Sequence, residues 1–263
     1  MFASASALAA SLASPLSVAV PGAAGGGLPL APLQTTLSDW DFVLANAPYL
    51  LWGTVLTVGL TIASVLLGFA LGFPAGATEV YGGGWSRRLV GVVGTVLRGT
   101  PIVVILIIMY FVFPTPDIDL LVVEVSGAFL AGVLGLGLRS AAYQSQIFRG
   151  AIQSVSRGQM EAARSIGMTR LEAIRYVIVP QALRRSVPGF QNEVTIVLKD
   201  TSVVFAIGLA ELLTRSYDLF VRQTTAVLEV ILFASAIYFV LTMLANRGLD
   251  YLRTYYAIPE GNA

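Results

Sequence analysis

Long apolar runs separated by short charged stretches dominate the chain. From Phe42 to Thr78 there is no Asp, Glu, Lys or Arg. That run suffices for a helix across roughly 30 Å of hydrocarbon at about 1.5 Å per residue, and it predicts a first span at about 48–73. The same reasoning places further spans at about 89–113, 122–148, 187–210 and 224–246. The expected fold class is all-α: a polytopic membrane protein of about five transmembrane helices. Inside the first span Gly68, Gly72 and Gly76 recur every fourth residue, the spacing that lets helix backbones touch in lipid. In the third, Gly127, Ala131 and Gly135 continue at that spacing to Arg139.

Composition agrees with lipid as the solvent. The chain of 263 residues is 56% hydrophobic and only 12% charged, whereas soluble domains carry about a quarter charged residues. Residues 1–38 hold no charge and are broken by Pro15, Pro21 and Gly25-Gly26-Gly27. With no basic residue ahead of its apolar stretch, the segment 1–40 reads as a flexible or interfacial tail, with an atypical signal sequence as the alternative. A membrane domain then covers 41–250, including a charged loop at about 149–186, and 251–263 forms a second tail.

Charge placement predicts orientation. No basic residue precedes Arg87, whereas Arg87 and Arg88 follow the first span, and Arg149, Arg157, Arg164, Arg170, Arg175, Arg184 and Arg185 crowd the loop after the third. The positive-inside rule puts that loop and the C-terminus in the cytoplasm and the N-terminus outside. The stretches near 114–124 and 211–223 are expected to be outer loops.

The absences narrow the chemistry. There is no Cys and no His, which removes disulfides, thiolate nucleophiles, Ser-His-Asp triads and His-type metal sites. The single lysine, Lys199, follows Leu198, so no G-x-x-x-x-G-K-[ST] phosphate loop exists. No enzymatic activity, cofactor or metal is expected in this chain. If ATP drives its work, ATP and magnesium sit on a separate polypeptide.

The 149–185 loop predicts two helices. The first, near Gln159–Ile166, places Met160, Ala163 and Ile166 along one side. Gly167 supplies a left-handed end, and Thr169 with Glu172 three residues on forms a capping box for a second helix that should stop before Pro180. From pattern alone this is equally a solvated hairpin joining two spans. Its residues, however, resemble the EAA loop in permeases of ATP-binding-cassette importers: Glu161-Ala162-Ala163, three residues, Gly167, nine residues, then Val177-x-Val179-Pro180. The flanks RGTP (98–101), AAYQSQIFRG (141–150), GQMEAA (158–163), PQA (180–182) and LKDTS (198–202) resemble the polar amino-acid branch, over about 45–250. Gln146 stands where that branch usually has Glu, which puts an ion pair to Arg149 in doubt.

The resemblance implies a coupling helix at about 158–168, seated in a groove of a separate ATPase, with Gly158, Glu161, Ala162, Ala163 and Gly167 forming the contact and its turn. For Glu161 the alternative is a plain N-terminal helix acid favoured by the dipole. It also implies a second permease, identical or not, an extracytoplasmic solute-binding protein, and amino-acid import. A secondary transporter or channel for small polar solutes is the competing function. An intramembrane hydrolase is disfavoured because no paired-aspartate motif or G-x-S-x-G is present.

Ionisable groups at membrane depth are functional candidates by default. In the fourth span Asn192, Thr195, Lys199 and Ser202 form one polar stripe, with Glu193 and Asp200 about one residue's rotation away. The expected substrate pathway takes in Arg139, Asn192, Glu193, Lys199, Thr201 and Ser202, which offer both signs to a zwitterion. The alternatives are a structural Lys199–Asp200 pair and an Arg139 that snorkels to the interface. Glu229 is read as interfacial, and Trp40, Tyr49, Trp52, Tyr251 and Tyr255 as interface anchors.

Overall fold

The computed structural model describes residues 37–113, 115–120 and 123–255. The expected N-terminal tail lies outside them as far as residue 36, as do residues 256–263. A short helix, α1 (Leu37–Ala45), leads into α2 (Ala47–Tyr81), α3 (Gly84–Gly99) and α4 (Ile102–Phe111). A two-stranded antiparallel ribbon follows, β1 (Ile118–Leu120) with β2 (Val123–Val125), pairing Ile118 with Val125. Then come α5 (Gly127–Ser154), α6 (Arg157–Ser165), α7 (Arg170–Glu172), a π-helical turn (Ala173–Ile178), α8 (Val179–Asp200), a 3₁₀ segment (Thr201–Ile207), α9 (Leu212–Arg222) and α10 (Val227–Tyr255).

Two of these helices, α2 and α10, are long and apolar enough to cross a membrane, with mean hydropathies of 2.2 and 2.3, and a third crossing results if α3 and α4 count as one bent span. The bend is 104°. It falls where RGTP places Thr100 in an extended conformation ahead of Pro101, which fixes its own φ and has no N–H to donate. The last helix runs past 250 to Tyr255.

The most extensive packing is between α2 and α5. It follows from the glycine stripe. A Cβ built on Gly72 would lie 2.7 Å from the Ala141 carbonyl oxygen, and one on Gly76 would lie 2.6 Å from that of Ser145. The backbones therefore meet with no room for a methyl group. Around this seam Leu60, Leu106, Ala131, Leu136, Val204 and Ile207 form one buried cluster joining α2, α4, α5 and the 3₁₀ segment. At the far end from the α6 hairpin, Val43, Leu50, Leu212, Leu219 and Val230 form another.

Two expectations are corrected. The segment 211–223 is largely a helix, α9, because Leu212, Ser216 and Leu219 repeat at helical spacing and bury one face. Glu211 caps it, its Oε1 accepting from the Thr214 N–H (2.7 Å) and its Oε2 from the Leu213 N–H (2.8 Å). Second, the helix begun at Arg170 does not stop before Pro180. Residues 170–200 remain helical, and the wide π turn just ahead of Pro180 accommodates a ring that has no donor.

Gly72→Ala should destabilise the protein by about 1–3 kcal/mol, because a rigid backbone carbonyl faces the new methyl. Gly59→Ala, on the same helix but with open space at its Cβ, should not. Melting temperatures of the two purified variants in detergent provide the check.

Candidate functional site

The hairpin after α5 folds as its local chemistry dictates. Ser156 caps α6 by accepting from the Gly158 N–H at 3.3 Å. Gly167 ends the helix with φ of 91°, a conformation that favours glycine. Thr169 and Glu172 form the reciprocal capping box: the Thr169 N–H donates to Glu172 Oε2 at 2.8 Å, and the Glu172 N–H donates to Thr169 Oγ1 at 3.3 Å. The Thr169 backbone N–H, followed by its hydroxyl, holds the Glu172 carboxyl below its ordinary range.

Two ties fix α6 to the flanking helices, and a third joins those helices to each other. Ala163 is buried, while Ala151, Ile152, Val155, Ile178 and Ala182 form an apolar seat against which Met160 packs. Gln181 donates to Gln159 Oε1 at 3.2 Å. Arg185 donates to both the carbonyl and the hydroxyl of Ser154.

The opposite side of α6 is open. Glu161, Ala162, Gly158 and Gly167 are exposed. Ile166, expected on the packed side, is instead 76% exposed. Glu161 lies beyond the first turn of α6, which holds no acidic residue, so a dipole-stabilising role does not account for it. An exposed acid and an exposed isoleucine on a braced short helix are suited to receiving a partner.

At the same end, the ion pair that Gln146 put in doubt is made by a residue the sequence reading did not single out. Glu79, its side chain 4% exposed, accepts from Arg149 at 2.9 Å and from Gln146 Nε2 at 2.9 and 3.0 Å. The anion sits on α2 rather than α5. One carboxylate thus clamps the last turns of α5, from which the hairpin departs, to the end of α2.

The residues expected at membrane depth divide into two groups. Arg139 pairs with Asp200, not Lys199 with Asp200, and its guanidinium stacks over Tyr143 at 5.1 Å. This also departs from snorkelling: the arginine is held by a counter-ion across the α5–α8 contact, and its Nε makes no hydrogen bond. Beside it, Ser140 Oγ donates to Glu193 at 2.8 Å and accepts from Gln144 Nε2 at 3.0 Å, while Gln144 also donates to the Val65 carbonyl at 3.2 Å. Glu193, Ser140 and Gln144 are all buried. The result is a polar relay from α8 through α5 to α2. Gln144 Oε1 and Ser64 Oγ, both buried, are left without a hydrogen bond.

The stripe of Asn192, Thr195 and Lys199 does not join that group. Asn192 and Lys199 are exposed. Thr195 donates to Asn246 Oδ1 of α10 at 2.9 Å, and Asn192 lines a shallow recess with Pro188, Gln191, Asn246 and Asp250. One residue's rotation decides the outcome, since Glu193 and Val197 take the core-facing positions of α8. Ser202 donates back to the Lys199 carbonyl at 2.8 Å. Thr201 is buried and lies beside the Tyr238 phenol, which donates to Glu211 Oε2 at 2.9 Å. Glu229, expected at the interface, is 1% exposed, with Oε2 unpartnered. Among the expected anchors, Trp52 and Tyr251 are exposed. Tyr49 instead donates to Asp218 at 2.7 Å and is stacked by Arg215 at 4.4 Å.

The sequence reading missed Glu79, Glu211 and Tyr238. The helical repeat Leu212, Ser216, Leu219 is a signal that would have revealed α9 and its cap. For Glu79 the only signal is an acid three residues after Gly76, one short of the four-residue glycine spacing.

The clamp makes a reciprocal forecast. Glu79→Gln should lower the melting temperature of the purified protein, because it leaves Arg149 unpaired. Adding Gln146→Glu should restore it by returning the carboxylate to α5. A double variant no more stable than Glu79→Gln would show that the position of the charge, not its presence, is what matters.

Comparison with known proteins places these features. Residues 64–254 match the family described as binding-protein-dependent transport system inner membrane component. The chain is 34% identical over 208 residues to the glutamine transport system permease protein of Escherichia coli (strain K12), covering 79% of this chain and 93% of that one. It is 31% identical over 224 residues to the glutamate/aspartate import permease protein of Escherichia coli O6:H1, covering 82% and 96%. A crystal structure of an amino acid ABC transporter with histidines is 32% identical and superposes with a TM-score of 0.70, covering 81% of this chain and 96% of that one. With 191 of its residues inside the family pattern, and a braced helix presented where the EAA loop falls, the chain belongs to the inner-membrane components of binding-protein-dependent transport systems.

Proposed function

We propose that this chain is the permease subunit of an ATP-driven importer of amino acids. Power comes from ATP and magnesium on a separate ATPase, and substrate is delivered by an extracytoplasmic binding protein. The observation that carries the reading is α6: a short helix fastened to α5 and α8 on one side and bare on the other. Such a helix can convert a push from an ATPase into movement of two membrane helices, since Gln181 and Met160 join it to them and Arg185 joins those two helices to each other. Two permeases, identical or not, would form the translocation path between them.

The proposed topology counts five crossings: α2, the bent α3–α4 pair, α5, α8 with its 3₁₀ extension, and α10. At about 1.5 Å per residue, the 28 residues of α5 and the 22 of α8 suffice to span. The arginine-rich hairpin and the C-terminus would be cytoplasmic and the N-terminus outside. Substrate passage would use the Arg139–Asp200 pair, the Glu193 relay, the exposed Asn192 and Lys199, and the half-buried Ser202. Both charge signs are at hand for a zwitterion.

Glu161→Lys and Gly167→Pro should each abolish uptake and weaken co-purification of the ATPase while membrane insertion persists. Retention of full uptake and full ATPase association by both variants would defeat the coupling role. For the pathway, replacing the ion pair as Arg139→Met with Asp200→Leu should keep a folded protein, because matched apolar residues tolerate loss of a buried pair. Substrate-stimulated ATP hydrolysis in the assembled complex should fall. A double variant with wild-type stimulation would make the pair purely structural.

A further inference from the structure

Behind the coupling helix lies a cavity of about 510 Å³ that the proposed transport cycle does not use. Its floor is apolar, formed by Val80, Ile152, Val155 and Ile178 at the ends of α2, α5 and the π turn. Its rim carries Arg157 and Arg170, together with Tyr81, Gln153 and Ser156. No acidic side chain lines it. Among the described residues neither guanidinium makes a hydrogen bond or an ion pair, and Arg170 lies over the Tyr81 ring at 5.9 Å. Glu172, the acid nearest to Arg170 in sequence, has its carboxylate engaged by Thr169.

Three further features give the recess a sign and a depth. Ser156 and Arg157 open α6, so the positive end of that helix faces the cavity. A third arginine, Arg87, donates to the carbonyls of Val80 and Gly82 at 3.4 and 3.2 Å, which ties it to the segment that supplies the lining residues Val80 and Tyr81. Trp85, two residues before it, is 78% exposed, as suits a ring at a membrane–water boundary. A cationic rim over an apolar floor at that boundary matches a phosphate group attached to hydrocarbon.

We infer that this cavity binds a phosphate group, that of an anionic phospholipid headgroup in the leaflet facing the coupling hairpin, held by Arg157 and Arg170. Arginine forks suit phosphate oxygens, and each basic residue near an anionic leaflet adds appreciable attraction. An occupant here touches α2, α5, α6 and the π turn together. It therefore sets the seat of the coupling helix and ties transport to the lipid composition around it. The inference goes beyond the importer reading and relies on it only for that consequence.

The test uses the full-length permease, delipidated in detergent and without its ATPase, so it can fail while the coupling role stands. Binding of short-chain phosphatidylglycerol, phosphatidylcholine and inorganic phosphate is measured by native mass spectrometry and calorimetry. Wild type should bind phosphatidylglycerol well above phosphatidylcholine. Arg157→Gln with Arg170→Gln should weaken that binding roughly tenfold or more, and Arg184→Gln, which removes an exposed charge outside the cavity, should leave it unchanged. Gln153→Glu, which adds a carboxylate to the rim without removing an arginine, should weaken it independently of how the double variant folds. Phosphate binding that is lost in the same variants would assign the same site to a free anion. Equal affinity for the two lipids, or unchanged binding in the double variant and in Gln153→Glu, overturns the proposal.

Discussion

The close approach of α2 and α5 is the constraint on which the rest of the molecule depends. In lipid, helices gain little from excluding water, so their association rests on packing and hydrogen bonds. The carbonyls of Ala141 and Ser145 sit against bare glycine at 72 and 76. That contact aligns Gln144 to reach the Val65 carbonyl and puts Arg149 within reach of Glu79. The polar relay at the centre and the charge clamp at the end are both consequences of the same seam. A side chain on either glycine would move both together.

The seam also explains why the hairpin is braced rather than loose. The final turns of α5 are held by Glu79, and those turns supply Ser154 and the apolar seat of Ala151, Ile152 and Val155. From the other side α8 contributes Ala182, Gln181 and Arg185. The π turn before Pro180 keeps this second arm helical into the membrane. A proline that stopped the helix would have left α6 on a flexible tether, able to bind a partner but unable to transmit a push.

Much of this was legible in the sequence, and the reasons for the remainder are specific. Four-residue glycine spacing, the turn at Gly167 and the Thr169–Glu172 box are local rules, and each is obeyed. What the local rules leave open depends on tertiary partners. Asn192, Thr195 and Lys199 share a stripe, but sequence periodicity defines a face without saying what that face meets. The core took Glu193 and Val197 instead, because Ser140 was available across the contact. Pro180 was read as a stop because a six-residue widening of the helix has no short-range signature. Glu79 was passed over because its partners lie about seventy positions away in sequence.

The distribution of charge bears on how such a bundle can change state. Arg139–Asp200 and Glu79–Arg149 lie at different depths, yet both are anchored on α5, the first linking it to α8 and the second to α2. Under the proposed coupling, a push through the hairpin would arrive at the end of α5 where Glu79 holds it, and at the start of α8, whose far end carries Asp200. If α5 and α8 move as one unit, the Arg139 pair survives and the strain falls on the glycine seam. If they move apart, the pair must open and expose two charges at membrane depth, at a cost that only a polar substrate or water could offset. The second course makes the pair a gate that opens in the presence of what it transports. It also accounts for a counter-ion being placed on α8 at the junction with its 3₁₀ extension, where a helix can bend without losing a full turn of hydrogen bonds.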